Sequence, residues 1–125
     1  MGEPAGPVVV NDATFETEVI HSPLPVVVDF TADWCGPCRV TAPMMRDFSA
    51  RLAGLVKFAT VNIDDAAGIT RSYGIHSIPT FLFLEDGQER RREVGPVGPL
   101  EFRSILKRVF ATPTPALSGG RPASR

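Results

Sequence analysis

The feature that most constrains this chain is Val26–Phe30, VVVDF: four apolar residues and one acid, with no alternation of apolar and polar. A strand with one wet face alternates; a run that is apolar on both faces has to be covered on both. It therefore belongs inside a sheet with helices above and below. Val56–Ile63 reads as a second strand of this kind. Between them, Val40, Met44, Phe48 and Leu52 recur every four residues and predict one face of a helix from about Cys35 to Ala53. Pro43 lies inside that helix and is expected to kink it, since proline lacks the N–H that would bond one turn back.

The remaining segments extend the same alternation. Val8–Val10 reads as a short strand, and Asn11 or Asp12 as the cap of a helix carrying Phe15 and Val19. Asp64 or Asp65 is expected to cap a short helix with Ile69 and Tyr73, closed by Gly74. Thr80–Leu84 and Gln88–Val94 flank Glu85-Asp86-Gly87, an Asp-Gly hairpin signal. Gly98-Pro99 opens a last helix that would bury Phe102, Ile105, Leu106, Val109 and Phe110. Strand–helix alternation asks for a parallel core, and the hairpin adds an antiparallel pair. The expected class is a three-layer α/β/α domain on a mixed five-stranded sheet with four helices.

Residues 1–7 and 111–125 are rich in Gly, Pro and Ser and poor in apolar side chains, so they read as disordered tails around a domain at residues 8–110. The 125 residues suffice for one domain, and a net charge of -1 disfavours nucleic acid as a partner. Residues 1–38 contain no Lys or Arg, so neither a secretory signal nor a transit peptide is expected there. The longest apolar run is far below the ~20 residues of a membrane span. These readings predict a cytoplasmic protein with no membrane partner.

Trp34-Cys35-Gly36-Pro37-Cys38 falls where the buried strand ends and the long helix begins. A sulfur at a helix N-terminus faces unpaired backbone N–H groups and the positive end of the helix dipole. Both favour the thiolate and lower the Cys35 pKa below the free value of ~8.5. Cys38, one turn further on the same face, is positioned to close a small ring with it. The expected division of labour is that Cys35 attacks and Cys38 resolves. A zinc site, the other common use of this spacing, would lack ligands: there is no second CxxC, and only His21 and His76 are available. No metal is expected.

With Arg39, Ala42-Pro43, Val61-Asn-Ile-Asp64, Tyr73-Gly-Ile75, Ile78-Pro-Thr80, Gly87 and Val94-Gly95, this block resembles the thioredoxin family in order and spacing over about residues 8–110. The resemblance implies a thioredoxin fold and reversible dithiol–disulfide exchange on disulfide-containing protein substrates. It further implies recycling by a thioredoxin reductase drawing on NADPH, with no cofactor beyond the Cys35–Cys38 disulfide; a monomer is the default. Asp29, after three valines, is expected to be poorly solvated and to have a raised pKa. By itself it reads equally as a strand-end acid satisfied by loop N–H groups; the resemblance makes it the proton acceptor for Cys38. It also implies a cis Ile78–Pro79 peptide against the CGPC loop, where the Ile78 backbone can pair with an extended substrate. Trp34 and Gly95 would complete the substrate rim, with Gly36 and Pro37 shaping the loop.

Two departures from the family pattern stand close to the cysteines. Thr31 replaces an aromatic residue, and Thr60 stands where many members carry a Lys paired to the buried Asp, with Lys57 not expected to substitute for it. Arg90-Arg91-Arg92 reads as a charged strand that discourages edge pairing. Two rival functions remain: a binding module of the same fold that grips a partner around Trp34, Ile78 and Gly95, and an oxidant or isomerase. The Gly-Pro between the cysteines resembles the reductants.

Overall fold

The structure, a computed structural model, describes residues 6–110; the tails expected at 1–5 and 111–125 lie outside the described residues. Five strands, β1 (Val8–Val10), β2 (Val26–Thr31), β3 (Lys57–Asn62), β4 (Thr80–Glu85) and β5 (Gln88–Val94), form one sheet in the order β1-β3-β2-β4-β5. β1 and β2 both run parallel to β3, whereas β4 runs antiparallel to β2 and β5 antiparallel to β4. The helices are α1 (Gly36–Arg51), α2 (Ala67–Ser72) and α3 (Pro99–Val109), with a π-helical segment at Glu16–Ile20. The mixed sheet and four helical segments match the expected class.

Alternation along the central strands divides the core in two. Val26, Val28 and Phe30 of β2 and Leu82 and Leu84 of β4 pack with Phe15, Val19 and Ile69 on one face. Val27, Phe81 and Phe83 pack on the other with Met45 of α1 and Phe102, Ile105 and Leu106 of α3. β4, TFLFLE, thus sends its phenylalanines to one layer and its leucines to the other. This double coverage is what the unbroken apolar runs demanded.

Three local expectations need correction. Val40 is 75% exposed; α1 buries Cys38, Thr41, Met45 and Ser49, while Met44, Phe48 and Leu52 pack at its flank. The helix presses small and polar side chains onto the sheet, so a reading by hydropathy chose the adjacent stripe. The first helix is a π-helical turn entered through Asn11, whose Oδ1 accepts from the N–H groups of Ala13 and Thr14 at 2.9 and 3.2 Å. Neither Asp64 nor Asp65 caps α2. Its first N–H groups, from Gly68 and Ile69, instead donate to Asp12 at 3.0 and 2.9 Å. β1 and β3 run parallel, so the loops after them meet at one end of the sheet and bring Asp12 to that helix start. Pro43 lies inside α1, where the sequence reading put it.

Elsewhere the local signals hold. The hairpin turns through Asp86 and Gly87, with φ of 54° and 77°, the two positive values a two-residue loop requires. Gly98 is the N-cap of α3 and Pro99 its first residue, and Phe102, Ile105 and Leu106 are buried. β5 is an edge strand, and its three arginines are matched by glutamates: Arg90 to Glu85 at 3.8 Å, Arg91 to Glu93 at 3.0 Å and Arg92 to Glu89 at 2.7 Å. Its charges are matched within the hairpin.

Candidate functional site

β2 ends at Thr31 and α1 begins at Gly36, so the intervening loop delivers Cys35 as the residue capping α1. Its backbone is extended, with φ -90° and ψ 109°, and its sulfur accepts a hydrogen bond from the Cys38 N–H at 3.2 Å. Pro37 sits in the first turn, where a missing N–H leaves nothing unsatisfied. Cys35 and Cys38 are joined as a disulfide, with Cα atoms 5.3 Å apart. When the bond is reduced, the same N–H and the helix dipole remain aimed at the Cys35 sulfur, and both favour its anion.

Both sulfurs lie in an apolar nest with Ala32, Ile63 and Ile78. The Ile78–Pro79 peptide is cis, and the Ile78 carbonyl oxygen lies 4.0 Å from the Cys35 sulfur. The Thr80 hydroxyl donates to the Ser77 carbonyl at 2.6 Å, bracing this loop, and Gly95 N–H donates to the Pro79 carbonyl at 2.8 Å. Gly95 has φ of 97°, and a Cβ there would meet nothing within 4 Å. Its conformation therefore calls for glycine. Trp34 stands beside Cys35, 64% exposed.

Asp29 sits in the middle of β2, 5% exposed, with no hydrogen-bond partner for its Oδ1. Strand alternation places it on the face of Val27, the face covered by α1. Burial raises its carboxyl pKa from 3.8 to about 7. The reading of Asp29 as an acid satisfied by loop N–H groups therefore fails for Oδ1. Its register neighbour on β3 is Thr60, which brings no positive charge. Lys57 does not substitute: its ammonium is bound to Glu18 at 2.6 Å, alongside the layer of the π-helical segment.

A family model for thioredoxin matches residues 6–108. The chain belongs to the thioredoxin family. Among similar proteins, it is 43% identical over 86 residues to a thioredoxin of Rickettsia felis, covering 69% of this chain and 82% of the relative. It is 46% identical over 88 residues to thioredoxin 1 of Synechococcus elongatus, covering 70% and 82%. A thioredoxin of Haemophilus influenzae is 36% identical over 97 residues, covering 78% and 91%. With its cysteines at bonding distance, this thioredoxin-family domain is a dithiol–disulfide exchange centre, and the family relationship implies disulfide substrates and a reductase partner.

Among the described residues, no group of three or more His, Cys, Asp or Glu could hold a metal ion, and no helix is long and apolar enough to cross a membrane. A groove of about 980 Å³ between the C-terminal half of α1 and α3 contains none of the candidate residues. Exchange with a protein disulfide needs an accessible sulfur on a surface, not an enclosed chamber, so the groove does not mark this chemistry. His21 is paired with Glu16 at 3.2 Å, and His76 is exposed.

Two contacts at the site escaped the sequence reading. Trp34 Nε1–H donates to Asp64 Oδ2 at 2.8 Å, and an Arg39 guanidinium N–H donates to the Asp33 carbonyl at 2.7 Å. The signal for the first lay in topology. β2 and β3 are parallel neighbours with Thr31 beside Asn62, so residues just beyond both strand ends meet.

Proposed function

We propose that this protein is a general protein disulfide reductase in which Cys35 is the nucleophile, Cys38 resolves and Asp29 accepts the resolving proton. The observation that carries this reading is the Cys35 sulfur at the cap of α1, accepting the Cys38 N–H and bonded to the Cys38 sulfur. In the reduced protein, the Cys35 thiolate attacks one sulfur of a substrate disulfide. A mixed disulfide forms and the first substrate sulfur leaves as a thiolate. Cys38 gives its proton to Asp29 and attacks the Cys35 sulfur, expelling the second substrate thiolate. Two electrons pass to the substrate, and the Cys35–Cys38 bond stores the oxidised equivalent.

An acid whose pKa is about 7 divides between its two forms at neutral pH, which suits a group that takes a proton in one step and returns it in the next. Ile78, Pro79, Gly95 and Trp34 form the rim against which an extended substrate segment would lie, with Gly36 and Pro37 shaping the loop. A reductase that draws on NADPH returns the pair to the dithiol, no other cofactor takes part, and the protein acts as a monomer. The cytoplasm, where thiols are kept reduced, suits exchange in this direction.

The test is trapping. Cys38→Ser should accumulate a mixed disulfide with a substrate protein, seen as an adduct by mass spectrometry, whereas Cys35→Ser should form none and reduce nothing. Equal trapping by both variants would overturn the assigned roles. Full cellular activity in a double Cys→Ser variant would instead support the binding-module reading.

A further inference from the structure

The groove of about 980 Å³ between the C-terminal half of α1 and α3 lies away from the cysteines, yet it gathers apolar side chains that the core leaves uncovered. Leu55, just before β3, is 65% exposed and Leu100, in the first turn of α3, is 81% exposed; both line it. Phe48 and Leu52 from the end of α1, and Leu106 and Phe110 from the end of α3, complete its apolar lining. Of the charged residues there, Arg51 is paired with Asp47 at 3.0 Å, and Arg103 and Lys107 stand one turn apart on α3. A second copy of this face is a poor occupant, because a twofold contact across so small a groove crowds Arg103 and Lys107 against the same cations of its mate.

The chain itself supplies a better one. It leaves α3 at Phe110, which is already part of the lining. The next ten residues, 111–120, carry no charge, and Leu117 is the single large apolar side chain beyond Phe110. We propose that residues 111–117, Ala-Thr-Pro-Thr-Pro-Ala-Leu, turn back along α3 and seat Leu117 in the groove against Leu55 and Leu100. The length fits. Seven residues in a polyproline conformation span about 22 Å, whereas α3 from Val109 back to Pro99 measures about 16 Å, which leaves enough chain for the reversal. Pro113 and Pro115 hold φ near the extended value, so less freedom is lost on docking than by an ordinary segment. The short tether also sets an effective concentration on the order of millimolar, which a separate partner has to exceed. Docking withdraws from water an apolar patch that would otherwise attract other chains. It narrows the expected C-terminal tail to the residues after Leu117, and it does not depend on the exchange reading.

The experiment is methyl NMR on the oxidised full chain. Nuclear Overhauser contacts should join the Leu117 methyls to those of Leu55 and Leu100 and persist unchanged on tenfold dilution. Leu117→Ser should abolish them and shift the Leu55 and Leu100 methyl resonances, while those of the buried Leu82 and Leu84 stay in place. Leu100→Ser, at a position too exposed to disturb the fold, should move the Leu117 methyls to random-coil shifts. Random-coil Leu117 methyls in the parent chain, or Leu55 and Leu100 resonances unmoved by Leu117→Ser, would overturn the proposal. Contacts that fade on dilution would also overturn it, since they would assign the groove to a second copy.

Discussion

Replacing Asp29 with Asn removes an ionisable group that the sheet buries without a counter-charge, and the consequence for stability has a definite sign. The folded-state pKa is about 7 against 3.8 for an ordinary aspartate, raised by desolvation. Below about pH 4, both folded and unfolded chains hold the proton, and the group contributes no pH-dependent difference. Between about pH 4 and 7, the unfolded chain ionises while the folded one resists. Stability then falls by about 1.4 kcal/mol per pH unit. Above about pH 7 both forms are ionised, and the loss levels off at about 4 kcal/mol.

Asn at this position has no charge to bury. The oxidised Asp29→Asn protein should therefore exceed its parent in stability by about 4 kcal/mol at pH 8, with the gain shrinking toward zero at pH 4. Urea unfolding at pH 4, 6 and 8 measures this directly. At a slope of about 1–2 kcal/mol per molar, the midpoint at pH 8 should rise by about 2–4 M. A gain independent of pH, or a loss at pH 8, would refute the reasoning, because neither can come from ionisation against burial. The same variant should turn over more slowly near pH 7, having lost the acceptor for the Cys38 proton; an unchanged rate would remove Asp29 from the mechanism. Retaining a group that weakens the fold is what a functional requirement looks like energetically.

Two further substitutions test the framework that positions the site. Asp12→Ala should destabilise the protein by about 1–2 kcal/mol in urea unfolding, because the Gly68 and Ile69 N–H groups lose their shared acceptor, whereas Asp12→Asn should retain most of the stability. Phe102→Ala should cost about 3–5 kcal/mol by the same measurement: the ring is fully buried, with centroids of Phe48, Phe81 and Phe83 5.1, 5.7 and 5.6 Å away.

What could be read from the sequence was whatever depends on a residue's own neighbours. VVVDF shows its double burial in its composition, Asp86-Gly87 carries its own turn chemistry, and Cys35 needs only a strand behind it and a helix ahead to become a cap. The failures involve partners distant along the chain. Asp12 and Asp64 look alike locally, each a helix-capping acid just beyond an apolar run. The structure sends the first to the N–H groups of Gly68 and Ile69 and the second to the indole of Trp34. Only the order β1-β3-β2 decides that, by setting the end of β3 beside the ends of both neighbours.

The misread face of α1 has a physical cause that leads back to the chemistry. A helix that packed Val40 and Met44 squarely against the sheet would turn Cys38 away from it. The observed helix instead buries Cys38, Thr41, Met45 and Ser49 and leaves Val40 in water. That rotation puts the second sulfur into the nest of Ala32, Ile63 and Ile78. Met44, Phe48 and Leu52 still pack at the flank, so of the apolar stripe only Val40 is given up when Cys38 is buried. The exposed Val40 accompanies that placement, and in the proposed mechanism the buried Asp29 is the group that gives it a use.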